Sequence, residues 1–299
     1  MTTRRELLTG LLLAPMLPGS DLKQLPYRVD ATWPTLPSGW NFQETPGVAV
    51  DEDDYVYVFH RGDPPIIKLN PAGIVERSWG RGLFIRPHAI RVDASGAIWV
   101  VDNDTHQVLK MDAGGRVRMV MGRKGQSGEG PDLFNRPTDV GFASDGSFYV
   151  SDGYGNSRVA KFAPDGTFIT AWGSKGTEPG QFDLPHTVVV GPDETVYVGD
   201  RENYRLQVFD PDGKFIEQWT HVGSPWGLAL DGDGDLFIAD GHNNRILKSR
   251  LDGTVVGQIS EGGKVVGKVN FAHHIAVDSK GNVYVSEIKN WRVQKFLPM

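Results

Sequence analysis

Six copies of one pattern run through this 299-residue chain and leave few folds open to it. Each copy sets two short apolar runs around a polar, mostly Asp/Gly turn. The pairs are Val48–Val50 with Tyr55–Val58, Ile90–Val92 with Ala97–Val100, and Val140–Phe142 with Ser147–Val150. They continue as Val188–Val190 with Thr195–Val198, Leu228–Leu230 with Leu236–Ala239, and Ile275–Val277 with Asn282–Val285. Such pairs read as tight β-hairpins. A third run follows every time, from Ile66–Leu69 to Arg292–Lys295, and a fourth follows in the first five copies, often ending in Trp. The copies recur at roughly 40–50 residues, and four strands at that period predict propeller blades. The last copy lacks its fourth strand at the C-terminus, and Tyr27–Trp33 can supply it. The expectation is an all-β, six-bladed β-propeller over residues 25–299, its last blade closed by the N-terminal strand, which removes an exposed sheet edge.

Composition agrees and narrows the chemistry. The 37 glycines and 19 prolines suit short strands and turns. A net charge of −6 with no long basic run makes nucleic acid a poor partner. There is no cysteine, so disulfides, thiolate catalysis and cysteine-bound zinc are excluded, and a metal must rest on histidine, carboxylate or carbonyl ligands. At the start, Arg4-Arg5 precedes the apolar run Leu11–Leu17, an export-signal pattern of twin-arginine type over residues 1–20. A periplasmic or secreted protein is expected from it, and a cytoplasmic one if the segment is not a signal. That run is too short to span a bilayer.

The repeat also places the histidines. The residue before each first strand is Pro46, Pro87, Pro137, Pro185, Pro225 or Ala272, and the next is Gly47, His88, Thr138, His186, Trp226 or His273. Histidine therefore takes blades two, four and six. First strands line the channel of a propeller, so three imidazoles on alternate blades converge about 120° apart. Three inward histidines with an open fourth position form the pattern of a catalytic zinc site. His274 beside His273 is an alternative third ligand. His60, His106, His221 and His242 lie off the register and read as surface or loop residues. The ends of second strands share the face where first strands begin, which brings Arg61, Tyr154 and Arg201 to the same rim. An arginine there can clamp a carboxylate, and a tyrosine beside a cation can serve as a general base.

Two other groups have a plainer reading. Asp231-Gly-Asp-Gly-Asp235 has the start of a calcium loop, but its twelfth position is His242, and the segment fills a hairpin-turn slot. Asp102, Asp152, Asp200 and Asp240 recur at one repeat position, which argues for structural hydrogen bonding.

The Asp-x-x-Asn-x-Arg pattern, as in Asp240–Arg245, resembles NHL repeats. Phe59-His-Arg-Gly62, Arg86-Pro-His-Ala-Ile90, Arg136-Pro-Thr-Asp-Val140, Ser151–Arg158, Pro179-Gly-Gln-Phe182, Leu184-Pro-His186 and Asp200-Arg-Glu-Asn203 resemble the peptidyl-α-hydroxyglycine α-amidating lyases. The resemblance runs from Val48 to the C-terminus. It implies zinc on His88, His186 and His273, a catalytic Tyr154, a substrate-side Arg61, a further substrate arginine at Arg201, and cleavage of a peptidyl-α-hydroxyglycine to an amide and glyoxylate. It also implies a structural calcium on the carbonyls of Val48 and Ile90, but His274 stands where that family has the calcium-holding aspartate. The family's disulfide cysteines are missing, and Gly155 stands in one such place. The expected partner is a small-molecule or peptide substrate on a monomeric ring. The rivals are a non-catalytic NHL propeller that binds a protein or ligand on its rim, and a metal-dependent hydrolase or lyase of another substrate.

Overall fold

The computed structural model describes residues 22–299. The export-signal expectation for residues 1–20 lies outside them. All regular elements in that span are strands, and they form six four-stranded antiparallel sheets. Five sheets are built in chain order. The sixth has Tyr27–Val29 at its outer edge, paired with Arg292–Pro298 in the register Tyr27↔Pro298, Arg28↔Leu297, Val29↔Phe296. The six-bladed ring closed from the N-terminus is therefore observed. No helix among the described residues is long and apolar enough to cross a membrane.

Burial follows position in the blade. Second strands such as Ile98–Asp102 and Phe148–Asp152 are buried along their whole length, whereas outer strands such as Phe168–Trp172 are only half-buried. Adjacent blades share apolar clusters: Ala89, Trp99 and Val101 of blade two pack with Val140, Phe148 and Val150 of blade three. Ala276 and Tyr284 of blade six meet Val48, Val56 and Val58 of blade one, which closes the ring. Each buried aromatic or aliphatic side chain of this kind contributes roughly 1.5–3 kcal/mol.

The recurrent carboxylates fasten the loops that lead into the first strands. Asp152 accepts from Asn135 N (2.9 Å), Asn156 Nδ2 (2.7 Å) and Arg158 Nε (3.0 Å). Asp200 and Asp240 repeat the arrangement with Asp183 N and Arg205, and with Ser224 N and Arg245. Asp102 accepts from Ile85 N and Arg86 N. Blade six uses Glu287 for the same purpose, bonding Asn270 N and Arg292, a substitution that the Asp pattern did not reveal. In the Asp231–Asp235 turn, Asp231 accepts from Asp233 N and Asp235 N and pairs with Lys248 at 3.0 Å.

One irregularity shapes the channel. The pairing of first and second strands skips a residue between Pro87 and Ala89, Pro185 and Thr187, Pro225 and Gly227, and Ala272 and His274. The skipped residues are His88, His186, Trp226 and His273. A bulge frees its residue from the ladder and re-aims its side chain. Blade one pairs Gly47↔Phe59 without a bulge, so Gly47 matches Ala89 rather than His88, one step below its place in the sequence alignment.

Candidate metal centre

Each bulged histidine is held by the neighbouring blade. His88 Nδ1 donates to Thr138 O at 2.6 Å, His186 Nδ1 to Trp226 O at 2.6 Å, and His273 Nδ1 to Pro46 O at 2.7 Å. The acceptors lie on blades three, five and one, so the three bonds repeat around the axis. A backbone acceptor on Nδ1 selects the tautomer with its lone pair on Nε2, as carbonyl partners do for metal-bound histidines. The ring centroids are 4.8, 4.8 and 4.9 Å apart, a nearly equilateral triangle. The three side chains offer ligand atoms within 4.8 Å of one another and are at most 2% exposed.

Electrostatics keeps these rings neutral. Burial, reinforced by the Arg61 cation, lowers the His88 pKa to about 3. Burial and then Arg201 push His186 well below the ordinary imidazole range, and burial and then the neighbouring His88 do so for His273. Neutral Nε2 donors converging from a rigid ring fit a divalent metal of zinc type, which takes three imidazoles and keeps a fourth position open.

The rim residues gather on one side of that triangle. Tyr154 Oη lies 3.3 Å from both His88 Nε2 and His186 Nε2. Its loop comes this close because Gly153 precedes it: a Cβ there would collide with the Pro185 carbonyl. Arg201 Nη1 donates to Tyr154 Oη at 3.1 Å, its guanidinium lies 4.5 Å from the Trp226 ring centroid, and Glu202 accepts from its Nε at 2.8 Å. Arg61 Nε donates to Pro87 O at 3.3 Å, next to His88, and its Nη1 pairs with Glu44. Tyr154 is 38% exposed, so the site opens to solvent on this face.

The structure thus brings His88, His186, His273, Arg61, Tyr154 and Arg201 together and sends His274 elsewhere. His274 points below the triad, with Nδ1 3.0 Å from Val48 O and Nε2 3.5 Å from Asp139 Oδ1. The bulge explains why both neighbours turn inward: alternation lapses at the extra residue. His60 is in a loop but buried, and its Nδ1 accepts from Gln43 N and Gly62 N, bracing the turn that carries Arg61. Trp226, His242 and Phe271 form an aromatic wall beside His186 and His273. Sequence reasoning placed Trp226 in the register but gave it no role; its interruption of an otherwise His/Thr/Gly set was the available signal.

Comparison with known proteins now decides the family. The NHL repeat family matches residues 84–111, 134–162, 182–209 and 223–248. "NHL repeat-containing protein 3" of Homo sapiens is 31% identical over 298 residues, covering 91% of this chain and 84% of that protein. The chain belongs to the NHL-repeat family. Its relatives there include the enzymes to which its motifs pointed. "Peptidyl-glycine alpha-amidating monooxygenase A" of Xenopus laevis is 35% identical over 212 residues, 60% of this chain and 22% of that protein. "Probable peptidyl-alpha-hydroxyglycine alpha-amidating lyase pgal-1" of Caenorhabditis elegans is 34% identical over 54% of each chain. The chain spans about a fifth of the length of the curated amidating monooxygenases it matches. Among solved structures, one described as "Streptogramin B lyase structure" superposes with a TM-score of 0.65 over 90% of this chain and 96% of that one, at 16% identity, a likeness of fold alone.

Proposed function

We propose that this member of the NHL-repeat family is a carbon–nitrogen lyase that cleaves a peptidyl- or N-acyl-α-hydroxyglycine to an amide and glyoxylate, with zinc on His88, His186 and His273. The observation that carries the reading is the placement of Tyr154 Oη 3.3 Å from two triad nitrogens under the Arg201 guanidinium. Relatives named as amidating lyases support the reaction class. Zinc bound there would supply Lewis-acid polarisation of the substrate's hydroxyl oxygen.

The chain's own residues account for the remaining steps. Arg61, held by Glu44 and the Pro87 carbonyl, faces the triad with a cation suited to the glycine carboxylate. Tyr154, entering the step as the phenolate, takes the proton from the carbinol hydroxyl on its oxygen, the atom that Arg201 positions. The oxygen's electron pair forms the C=O of glyoxylate as the C–N bond breaks toward nitrogen. Tyr154 then returns the proton to that nitrogen, which completes the amide, and no other reactant is consumed. Trp226, backed by Phe271, packs on His186 and His273 and shields that flank of the triad from water. We further propose export by the twin-arginine-like segment at residues 1–20 and a monomeric ring acting on small or peptide substrates.

A second reading has its own support: the relative matching 91% of the chain carries a name that states no reaction. It makes the ring a binding module. Zinc-loaded protein incubated with N-benzoyl-α-hydroxyglycine separates the two. Glyoxylate release that is lost in His186→Ala supports the lyase; no release from protein holding one equivalent of zinc sinks it.

A further inference from the structure

Below the histidine triad lies a second buried polar layer to which the proposed reaction assigns no part. Arg91 Nε donates to Asp139 Oδ1 at 3.0 Å and its Nη2 to Asp139 Oδ2 at 2.6 Å. The same guanidinium reaches Leu228 O at 3.0 Å through Nη1 and Thr187 Oγ1 at 3.3 Å. Thr187 Oγ1 donates to Asp139 Oδ2 at 2.8 Å. His274 Nε2 approaches Asp139 Oδ1 at 3.5 Å, and its Nδ1 meets Val48 O at 3.0 Å. Arg91, Asp139, Thr187, Leu228, His274 and Val48 come from blades two, three, four, five, six and one, so one connected set of contacts touches every blade. Burial alone would raise the Asp139 carboxyl, but the Arg91 guanidinium outweighs it and holds it well below the usual carboxylate range. Arg91 also borders a cavity lined by Val50, Val92, Val189, Leu230 and Val277.

The repeat shows how room is made. Arg91 occupies the middle of Ile90-Arg91-Val92, where the other blades carry Ala49, Gly141, Val189, Ala229 and Ala276. Four of these five are the smallest side chains available, and Ala49, Ala229 and Ala276 line one cavity together with Arg91.

This layer does not fit the calcium that the family resemblance implies at Val48 and Ile90. Calcium takes six to eight oxygen ligands, carboxylates prominent among them. Here residue 274 is an imidazole turned onto the Val48 carbonyl, and Asp139 is already chelated by a guanidinium. We infer that Arg91 is the ring's built-in cation: its guanidinium takes the place of a structural calcium beneath the metal centre, and the propeller needs none. The inference rests on these contacts alone and holds whatever reaction the triad performs.

Thermal melting tests it. Wild-type protein, freed of exchangeable ions on a chelating resin, is melted with and without millimolar calcium chloride. The expected change in Tm is under about 1 °C; a rise of about 5 °C or more, or stoichiometric calcium by elemental analysis, overturns the inference. The converse arm removes the guanidinium and supplies the carboxylate. Arg91→Ala/His274→Asp should gain a calcium-dependent rise of about 5 °C, and a variant that folds but ignores calcium overturns the assignment of Arg91 to that place. Should the double variant not fold, Arg91→Lys is read instead. It keeps the charge but cannot bond Asp139, Thr187 and Leu228 together, so it should melt several degrees lower; a wild-type melt counts against the inference.

Discussion

Tyr154 stands where three influences meet, since its oxygen accepts from Arg201 and faces two metal-ready nitrogens. If it moves the proton, Tyr154→Phe should lower kcat by roughly 10²–10³-fold and leave zinc content unchanged, because the triad is held by backbone carbonyls. Steady-state kinetics with metal analysis checks both halves; near-normal kcat would move proton transfer to another group. Arg61 acts on binding in this scheme. Arg61→Gln should raise KM about tenfold or more with a smaller change in kcat, since the pairing with a carboxylate exists before bond cleavage. A KM that does not move would remove Arg61 from the substrate side. At this scale the sequence was legible wherever the repeat fixed a position. His88, His186, His273, Arg61, Tyr154 and Arg201 each follow from register. Arg91 and Asp139 escaped notice because Arg91 bonds to blades three, four and five and Asp139 meets blades two, four and six, at separations no local pattern reports. His60 was read as surface or loop, yet its loop folds back over Gln43 and buries it.

The hairpin is the unit that repeats, and its turn carboxylate ties it to the strand that follows. Tyr57 Oη donates to Asp51 at 2.9 Å, Trp99 Nε1 to Asp93 at 2.8 Å, and Tyr284 Oη to Asp278 at 2.9 Å. Tyr149 occupies the same place and donates to Pro211 O at 3.0 Å; Tyr197 shares the position. Burial raises the phenol of all four tyrosines, pushing Tyr197 up to about 12, and the Asp51 and Asp278 carboxylates raise Tyr57 and Tyr284 further. The sign follows from linkage. A phenol whose folded pKa exceeds its unfolded value of about 10 contributes fully below pH 10, and the contribution is lost as pH rises toward the folded value. Tm should therefore be flat from pH 7 to about 9.5 and fall steeply between about 10 and 12. Tyr57→Phe should melt lower at neutral pH and show a shallower fall. A melting curve indifferent to pH over that window would contradict the account. The strands of these hairpins were legible from alternation and turn chemistry. The bulges were not, because the extra residue is visible only when two strands are paired, and Gly47 shows the consequence: aligned by its proline, it falls one step out of place.

In the whole molecule, closure and the metal centre act on the same ring from different radii. At the outer edge Tyr27–Val29 zips onto Arg292–Pro298, and Met299 N donates to Pro26 O at 2.7 Å, so the two ends of the described chain are one sheet. The sequence disclosed this closure because the sixth copy lacked a strand that the N-terminus could supply. Near the axis, His88, His186 and His273 belong to alternate blades, and a metal on them would tie those three blades together directly. Binding to the folded ring alone stabilises it by RT ln(1 + [L]/Kd), about 2.7 kcal/mol at a hundredfold excess over Kd. For a chain of this size that corresponds to a Tm rise of a few degrees. Stripping the metal with a chelator should thus lower Tm by that amount and abolish glyoxylate release together, and zinc should restore both. His186→Ala removes one blade from the linkage, so zinc should shift its melting little. If zinc raised the Tm of His186→Ala as much as that of the wild type, the stabilising ion would be bound away from the triad, and the three-blade linkage would have to be abandoned.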